Sequence, residues 1–173
     1  NSNVATATYT FPVTVANIAA FKAANTATNS TPYNIAGDVT FAFQNGSYTF
    51  VKDASAGLLI YGGSSYYADY SEGDVISGGI NGTYSLYYAQ PEFVPTSAPA
   101  ASTSNTGNIT PTVVTIADLM ANYSQYDAQL IRLQNVTIED GLNHTAGTAG
   151  SRDTIVQNGS RMIIYNRFNT LDT

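Results

Sequence analysis

The sequence predicts an all-β chain: a small five-stranded barrel with a short N-terminal helix, followed by an incomplete second copy of the same unit. Three observations carry that reading. In composition, 22 Thr, 15 Ser and 16 Asn join 14 Gly and 13 Tyr to fill 80 of the 173 positions. That mixture is hydrophilic without being charged and suits strands and turns better than helices. In patterning, short apolar runs alternate with Asn-Gly and Gly-rich punctuation. In self-similarity, four blocks return in the same order further along the chain.

Those blocks define the expected domains. Val13-Thr14-Val15-Ala16-Asn17-Ile18 returns as Val114-Thr115-Ile116-Ala117-Asp118-Leu119, an offset of 101. Val39-Thr40-Phe41 returns as Val136-Thr137-Ile138, an offset of 97. Residues 49–53 return as 154–158 and residues 58–61 as 162–165, offsets of 105 and 104. The first copy continues to Pro95, whereas the second stops soon after the block matching Tyr61. Between them, a Ser/Thr/Pro/Ala-rich stretch without apolar periodicity has linker composition. The expected organisation is therefore a complete unit at 1–95, a linker at 96–112 and a partial repeat at 113–173. A half-barrel exposes strand edges, so the second copy is expected to pack on the first, pair with another chain, or fray.

Element by element, residues 18–24 are Ala-rich and form the best helical stretch, with Asn17 as cap and residues 119–123 as counterpart. Residues 35–43 read as a long strand in which Gly37 marks a bulge or bend and Val39, Phe41 and Phe43 face the core. Asn45-Gly46 turns into a strand at 48–51, and residues 53–57 turn into a third at 58–61. After a Gly/Ser/Tyr loop at 62–70 comes a strand at 75–80, a second turn at Asn81-Gly82, and a last strand at 84–94. Five strands starting from a bent one avoid two bare edges by curling into a barrel.

The succession Tyr33-Asn34-Ile35-Ala36-Gly37-Asp38-Val39-Thr40, then Tyr48-Thr49-Phe50-Val51-Lys52-Asp53 with Gly57-Leu58-Leu59-Ile60-Tyr61, then Glu72-Gly73-Asp74-Val75-Ile76-Ser77-Gly78 resembles a known family. It is similar to the OB-fold-like domains of unknown function in Bacteroidetes surface lipoproteins, often in tandem, and in some secreted bacterial nucleases. The resemblance covers residues 33–94, and 127–168 in part. Position 77 is Ser where the pattern has an apolar residue. The resemblance implies an OB-like barrel, an extracellular or cell-surface (outer-membrane) context, and a non-catalytic module.

Composition excludes several functions. With no Cys there is no disulfide framework and no thiolate metal site. The single His, His144, is read as a solvated loop residue, so no catalytic role is assigned to it and no enzyme activity is expected. Asp69, Glu72 and Asp74 form the one tight carboxylate group; its spacing fits no calcium loop, and no metal or cofactor is expected. No run of apolar residues is long enough for a transmembrane helix. Eight Asn-x-Ser/Thr sequons occur, several of them better read as Asn-Gly turns.

Tyrosine is the functional-looking element. Tyr61, Tyr66, Tyr67, Tyr70, Tyr84, Tyr87 and Tyr88 fall within 28 residues, and each offers an apolar ring for stacking and a hydroxyl for hydrogen bonding. These seven are the candidate ligand-binding residues, set against a packing role in a Tyr-rich sheet. Charge selects the ligand. In residues 1–95 only Lys22 and Lys52 oppose Asp38, Asp53, Asp69, Glu72, Asp74 and Glu92, a balance that repels nucleic acid. A neutral glycan or a partner protein is the expected ligand. A structural spacer repeat and an accessory domain of an extracellular nuclease are the alternatives.

Overall fold

The computed structural model describes residues 10–139 and 150–168, and the chain divides into two compact units, Asn1–Ile109 and Thr110–Thr173. The class is all-β with short helices.

The first unit starts with β1 (Val13–Val15), which runs parallel to β2 (Tyr33–Ile35), with α1 (Ile18–Ala23) between them. The helix starts where expected because the Asn17 side chain accepts a hydrogen bond from the Ala20 amide at 2.9 Å. Its inward face is Ile18 and Phe21, both fully buried. Residues 35–43 are not one strand. The chain leaves β2 after Ile35 and re-enters pairing as β3 (Val39–Asn45), with Gly37 in the bend. A side chain there would meet the Ala16 carbonyl oxygen at 2.6 Å, which is why the bend carries glycine. β3, β4 (Tyr48–Lys52) and β5 (Gly57–Tyr61) form an antiparallel meander, with a bulge between Phe41 and Phe43.

Beyond the meander the structure departs from the sequence reading. Strand pairing after the loop begins at β6 (Asp74–Ile76), breaks over residues 77–79, and resumes as β7 (Ile80–Tyr87), which turns into β8 (Gln90–Pro95). Asn81-Gly82 is therefore inside a strand, and the turn is Tyr88-Ala89, both with positive φ (46° and 65°). Gly82 serves packing: a Cβ there would lie 2.6 Å from the Phe93 ring and 2.4 Å from the Val94 carbonyl oxygen. Strands β6 and β3 pair antiparallel, β7 pairs with both β2 and β8, and β8 runs parallel to β5.

Within the stretch of linker composition, β9 (Ser104–Asn105) adds antiparallel to β6, and the first unit extends to Ile109. The sheet order is β1-β2-β7-β8-β5-β4-β3-β6-β9, and among the described residues no ladder closes it into a ring. Its core gathers Ile18, Phe21, Ile35, Val51, Leu58, Ile60, Tyr67, Ile76 and Phe93, each fully buried. At about 1.5–3 kcal/mol for each large apolar side chain, this cluster is the main stabilising term of the unit.

The second unit opens with β10 (Thr112–Val114) parallel to β11 (Ile131–Leu133), with α2 (Ile116–Ala121) and α3 (Tyr123–Tyr126) between them. Thr115 caps α2 by accepting from the Asp118 amide, so the helix starts three residues before the stretch that the sequence alignment placed opposite α1. A second meander follows: β12 (Thr137–Ile138), β13 (Arg152–Gln157) and β14 (Ser160–Tyr165). Its last turn, Asn158-Gly159, has φ of 48° and 81°, as an Asn-Gly hairpin requires. An ion pair joins Arg161 to Glu139. Among the described residues no helix is long and apolar enough to cross a membrane.

Candidate aromatic binding site

The seven tyrosines separate into four environments. Tyr67 and Tyr84 are core residues, 0% and 3% exposed, and their assignment as ligand contacts is corrected here. A ring enclosed on all sides has no face to offer a ligand. Tyr84 packs against Phe21 at 5.6 Å between ring centroids, because position 84 falls on the inward side of β7, alternating with the outward Thr83 and Ser85. Tyr67 follows a 3₁₀ turn at Ser64–Tyr66 that drives its ring under the loop. Burial, with Tyr70 alongside, pushes its hydroxyl well above the ordinary range, so it stays protonated. That hydroxyl is buried with no hydrogen-bond partner among the described residues.

Tyr66 and Tyr70 form a different environment. Tyr66 is 36% exposed, held where a Cβ on Gly63 would lie 2.8 Å from its ring and 2.7 Å from Pro95. Glycine at 63 thus lets the ring lie directly on the backbone. Tyr70 is half-buried and stacks on Phe41 at 6.0 Å and 20° between planes, while its hydroxyl donates to the Ala100 carbonyl oxygen. Burial first, then the Asp74 and Asp69 carboxylates, raises its pKa and keeps the hydroxyl a neutral donor. Together with Ser65, exposed Asp69, Ala98, Pro99, Ala101 and Ser102 they line a cleft of about 310 Å³.

The opposite wall of that cleft was hidden by its linker composition. It is fixed by two members of the tight carboxylate group, Glu72 and Asp74. Glu72 Oε1 accepts from the Ile109 amide at 2.8 Å, and Asp74 Oδ1 accepts from Asn105 Nδ2 at 2.9 Å. Asp74 Oδ2 also accepts from the Ser71 amide, and these hydrogen bonds hold its carboxyl below the usual range although it lies at the surface. Glu72 and Asp74 therefore clasp the 102–109 segment to the loop.

Tyr61 is 42% exposed at the end of β5 and meets Tyr48 edge-on at 5.4 Å. Tyr87 and Tyr88 are 61% and 89% exposed at the apex of the β7–β8 hairpin, edge to face at 4.7 Å. Of the seven, Tyr66 and Tyr70 line one cleft together. His144 and the Asn143 sequon lie outside the described residues.

The second unit holds a cleft of about 510 Å³ whose polar lining includes Asp118, Gln134, Asn135, Gln157 and Asn158. Two of its members are engaged. Gln157 Oε1 accepts from the Ile116 amide at 2.8 Å and its Nε2 donates to the Gln134 carbonyl oxygen at 2.6 Å. Asp118 accepts from Tyr126 and Asn122, which lower its pKa. No family model, curated protein or solved structure matches this chain.

Proposed function

We propose that the chain is a non-catalytic β module that binds a neutral glycan in the Tyr66–Tyr70 cleft and works outside the cell or on its surface. The observation that carries this reading is the cleft itself: two tyrosine rings, one about a third exposed and one stacked on Phe41, beside Asp69 and the Ser65 and Ser102 hydroxyls. Sugar rings present apolar C–H faces that stack on aromatic rings, and hydroxyls that a carboxylate and serines can hydrogen-bond. The acidic balance of the first unit opposes a polyanion and leaves a neutral polymer unopposed. The Ser/Thr/Asn-rich, weakly charged composition supports the extracellular setting.

The architecture proposed for this module is an OB-like barrel opened at one point. Strands β6 and β7 follow one another across residues 77–79; one pairs with β3 and the other with β8. Taken as two halves of one strand, they return the sheet on itself. The second unit is proposed as an incomplete copy of the same plan. Each unit has a parallel strand pair flanking a helix, then a three-stranded meander. In each, a side chain at the end of the second meander strand accepts from the first helical amide, Asp53 from Ile18 and Gln157 from Ile116, both at 2.8 Å. The pairings Val51↔Leu58 and Ile155↔Met162 support that equivalence at an offset of 104.

The test is affinity gel electrophoresis against a panel of plant, host and microbial polysaccharides, with single-stranded DNA as a control lane. Retardation by one neutral glycan, lost in Tyr66→Ala with an unchanged melting temperature, is the expected result. No retardation by any polysaccharide removes the glycan reading. A second reading, a partner protein, is favoured by the hairpin apex, where Tyr88 stands 89% exposed in a left-handed conformation costly for a bulky residue. Loss of protein capture in Tyr88→Ser with glycan retardation intact is its signature.

A further inference from the structure

We propose that the second unit is an acceptor for a β-hairpin supplied from beyond the described residues, one that pairs antiparallel with β11 and parallel with β14. This rests on the incomplete-copy reading given above. In the first unit the β7–β8 hairpin does this work. Its first strand pairs with β2 (Tyr33↔Gly82, Ile35↔Ile80) and its second with β5 (Leu59↔Glu92, Ile60↔Phe93). With the hairpin in place, Tyr33, Ile35, Leu58, Leu59 and Ile60 are all buried.

Their counterparts in the second unit are Ile131, Leu133, Met162, Ile163 and Ile164. Here β11 pairs only with β10, and β14 only with β13, among the described residues. Ile131, Leu133, Met162 and Ile164 are only half-buried, and Ile163 is 64% exposed. Among the described residues, β11 and β14 thus lack the hairpin strands that pair with their counterparts β2 and β5 in the first unit. Unpaired strand edges beside half-exposed Ile and Met side chains are the substrate for strand addition, in which main-chain hydrogen bonds supply affinity and alternate side chains supply specificity.

The first unit also specifies the occupant's chemistry. It is a two-stranded hairpin with a small residue where Gly82 lets the backbones approach and apolar or aromatic residues at the positions of Ile80, Tyr84 and Phe93.

The probe is this chain's own hairpin. A full chain carrying a second copy of residues 74–95 after Thr173 through a flexible Gly/Ser linker is compared with the unaltered chain by residue-resolved amide hydrogen exchange. The expected result is slowing of the Leu133, Ile163 and Ile164 amides by about tenfold or more. An added hairpin with Asp in place of its Tyr84 and Phe93 leaves those amides unchanged. No slowing with the natural hairpin, or equal slowing with the Asp-substituted one, overturns the proposal. So does concentration-dependent dimerisation of the unaltered chain with these amides already protected, which assigns the edge to a second copy. If the β13 amides are unprotected in the unaltered chain and stay so with the natural hairpin appended, the incomplete-copy reading falls, and the docking proposal with it. Protected β13 amides with no gain from the hairpin overturn docking alone.

Discussion

At the scale of single residues, position within the strand pattern separates two kinds of tyrosine that look identical in the sequence. Tyr67 is enclosed and its hydroxyl is orphaned, whereas Tyr66, its neighbour, keeps a third of its surface in solvent. Tyr67→Ala removes a buried ring and is expected to cost about 3–5 kcal/mol. Tyr67→Phe removes only a hydroxyl that has no partner among the described residues, so its stability is expected to match or exceed the parent by up to about 1 kcal/mol. Urea denaturation of both variants decides this, and a Tyr67→Phe chain less stable than the parent refutes the orphan assignment. The grouping of seven tyrosines was legible in the sequence, but the division among them was not. Period-2 alternation identifies Tyr84 as inward only once the strand is known to start at Ile80 rather than to be interrupted by a turn at Asn81-Gly82.

At the scale of elements, the first amide of α1 and of α2 is bound by a side chain from the neighbouring meander, and the two acceptors differ in charge. Burial alone would raise the pKa of Asp53, but hydrogen bonds from Ile18, Ser55 and Ala56 outweigh it and hold the carboxyl below its ordinary value. A depressed folded-state pKa contributes stability that is full above the unfolded value near about 3.9 and is lost as the pH falls through the folded value. Asp53→Ala is expected to cost about 1–2 kcal/mol at pH 7, with the difference from the parent shrinking as acid protonates the carboxyl. The counterpart acceptor, Gln157, does not titrate, so the cost of Gln157→Ala is expected to be independent of pH between 3 and about 7. Parallel denaturation series at several pH values check both. A pH-independent Asp53→Ala difference counts against the carboxylate's role.

Local chemistry explains which element boundaries were readable. The Asn17 cap and the Asn158-Gly159 hairpin depend on side chains within three or four positions and are where the sequence puts them. The apex Tyr88-Ala89 was unreadable because neither residue favours positive φ, and Asn81-Gly82 misled because Gly82 is retained for the approach of Phe93, a contact eleven residues away.

For the whole molecule, the two units differ in depth of core. The first buries a continuous cluster from Ile18 to Phe93, whereas the second buries Val114, Ile116, Leu119 and Ile155 and leaves β14 alternately half-covered and exposed. Hydrophobic stabilisation scales with the apolar area removed from water, so the second unit is expected to open first. In amide exchange under mild denaturant, residues 110–168 should lose protection before residues 33–95. Tyr67→Ala should accelerate exchange only in the first unit. Exchange of both units at one common rate would mean that they unfold as a single cooperative body.

The amino-acid sequence by itself determined the all-β class, the first helix and its cap, the first meander, and an acidic, weakly charged chain unsuited to polyanions. These follow from propensity, short-range capping, turn chemistry and net charge, which act over a few residues or as a sum over all of them. Only the tertiary structure decided that β7 and β8 bridge β2 and β5, that residues 98–109 fold back onto the first unit, and that Tyr66 and Tyr70 share a cleft which Tyr67 does not enter. Those outcomes depend on contacts between residues about thirty to fifty positions apart, such as Tyr33 with Gly82 and Tyr70 with Ala100. Burial and hydrogen bonding there are satisfied by the fold as a whole, and no local pattern along the chain encodes them.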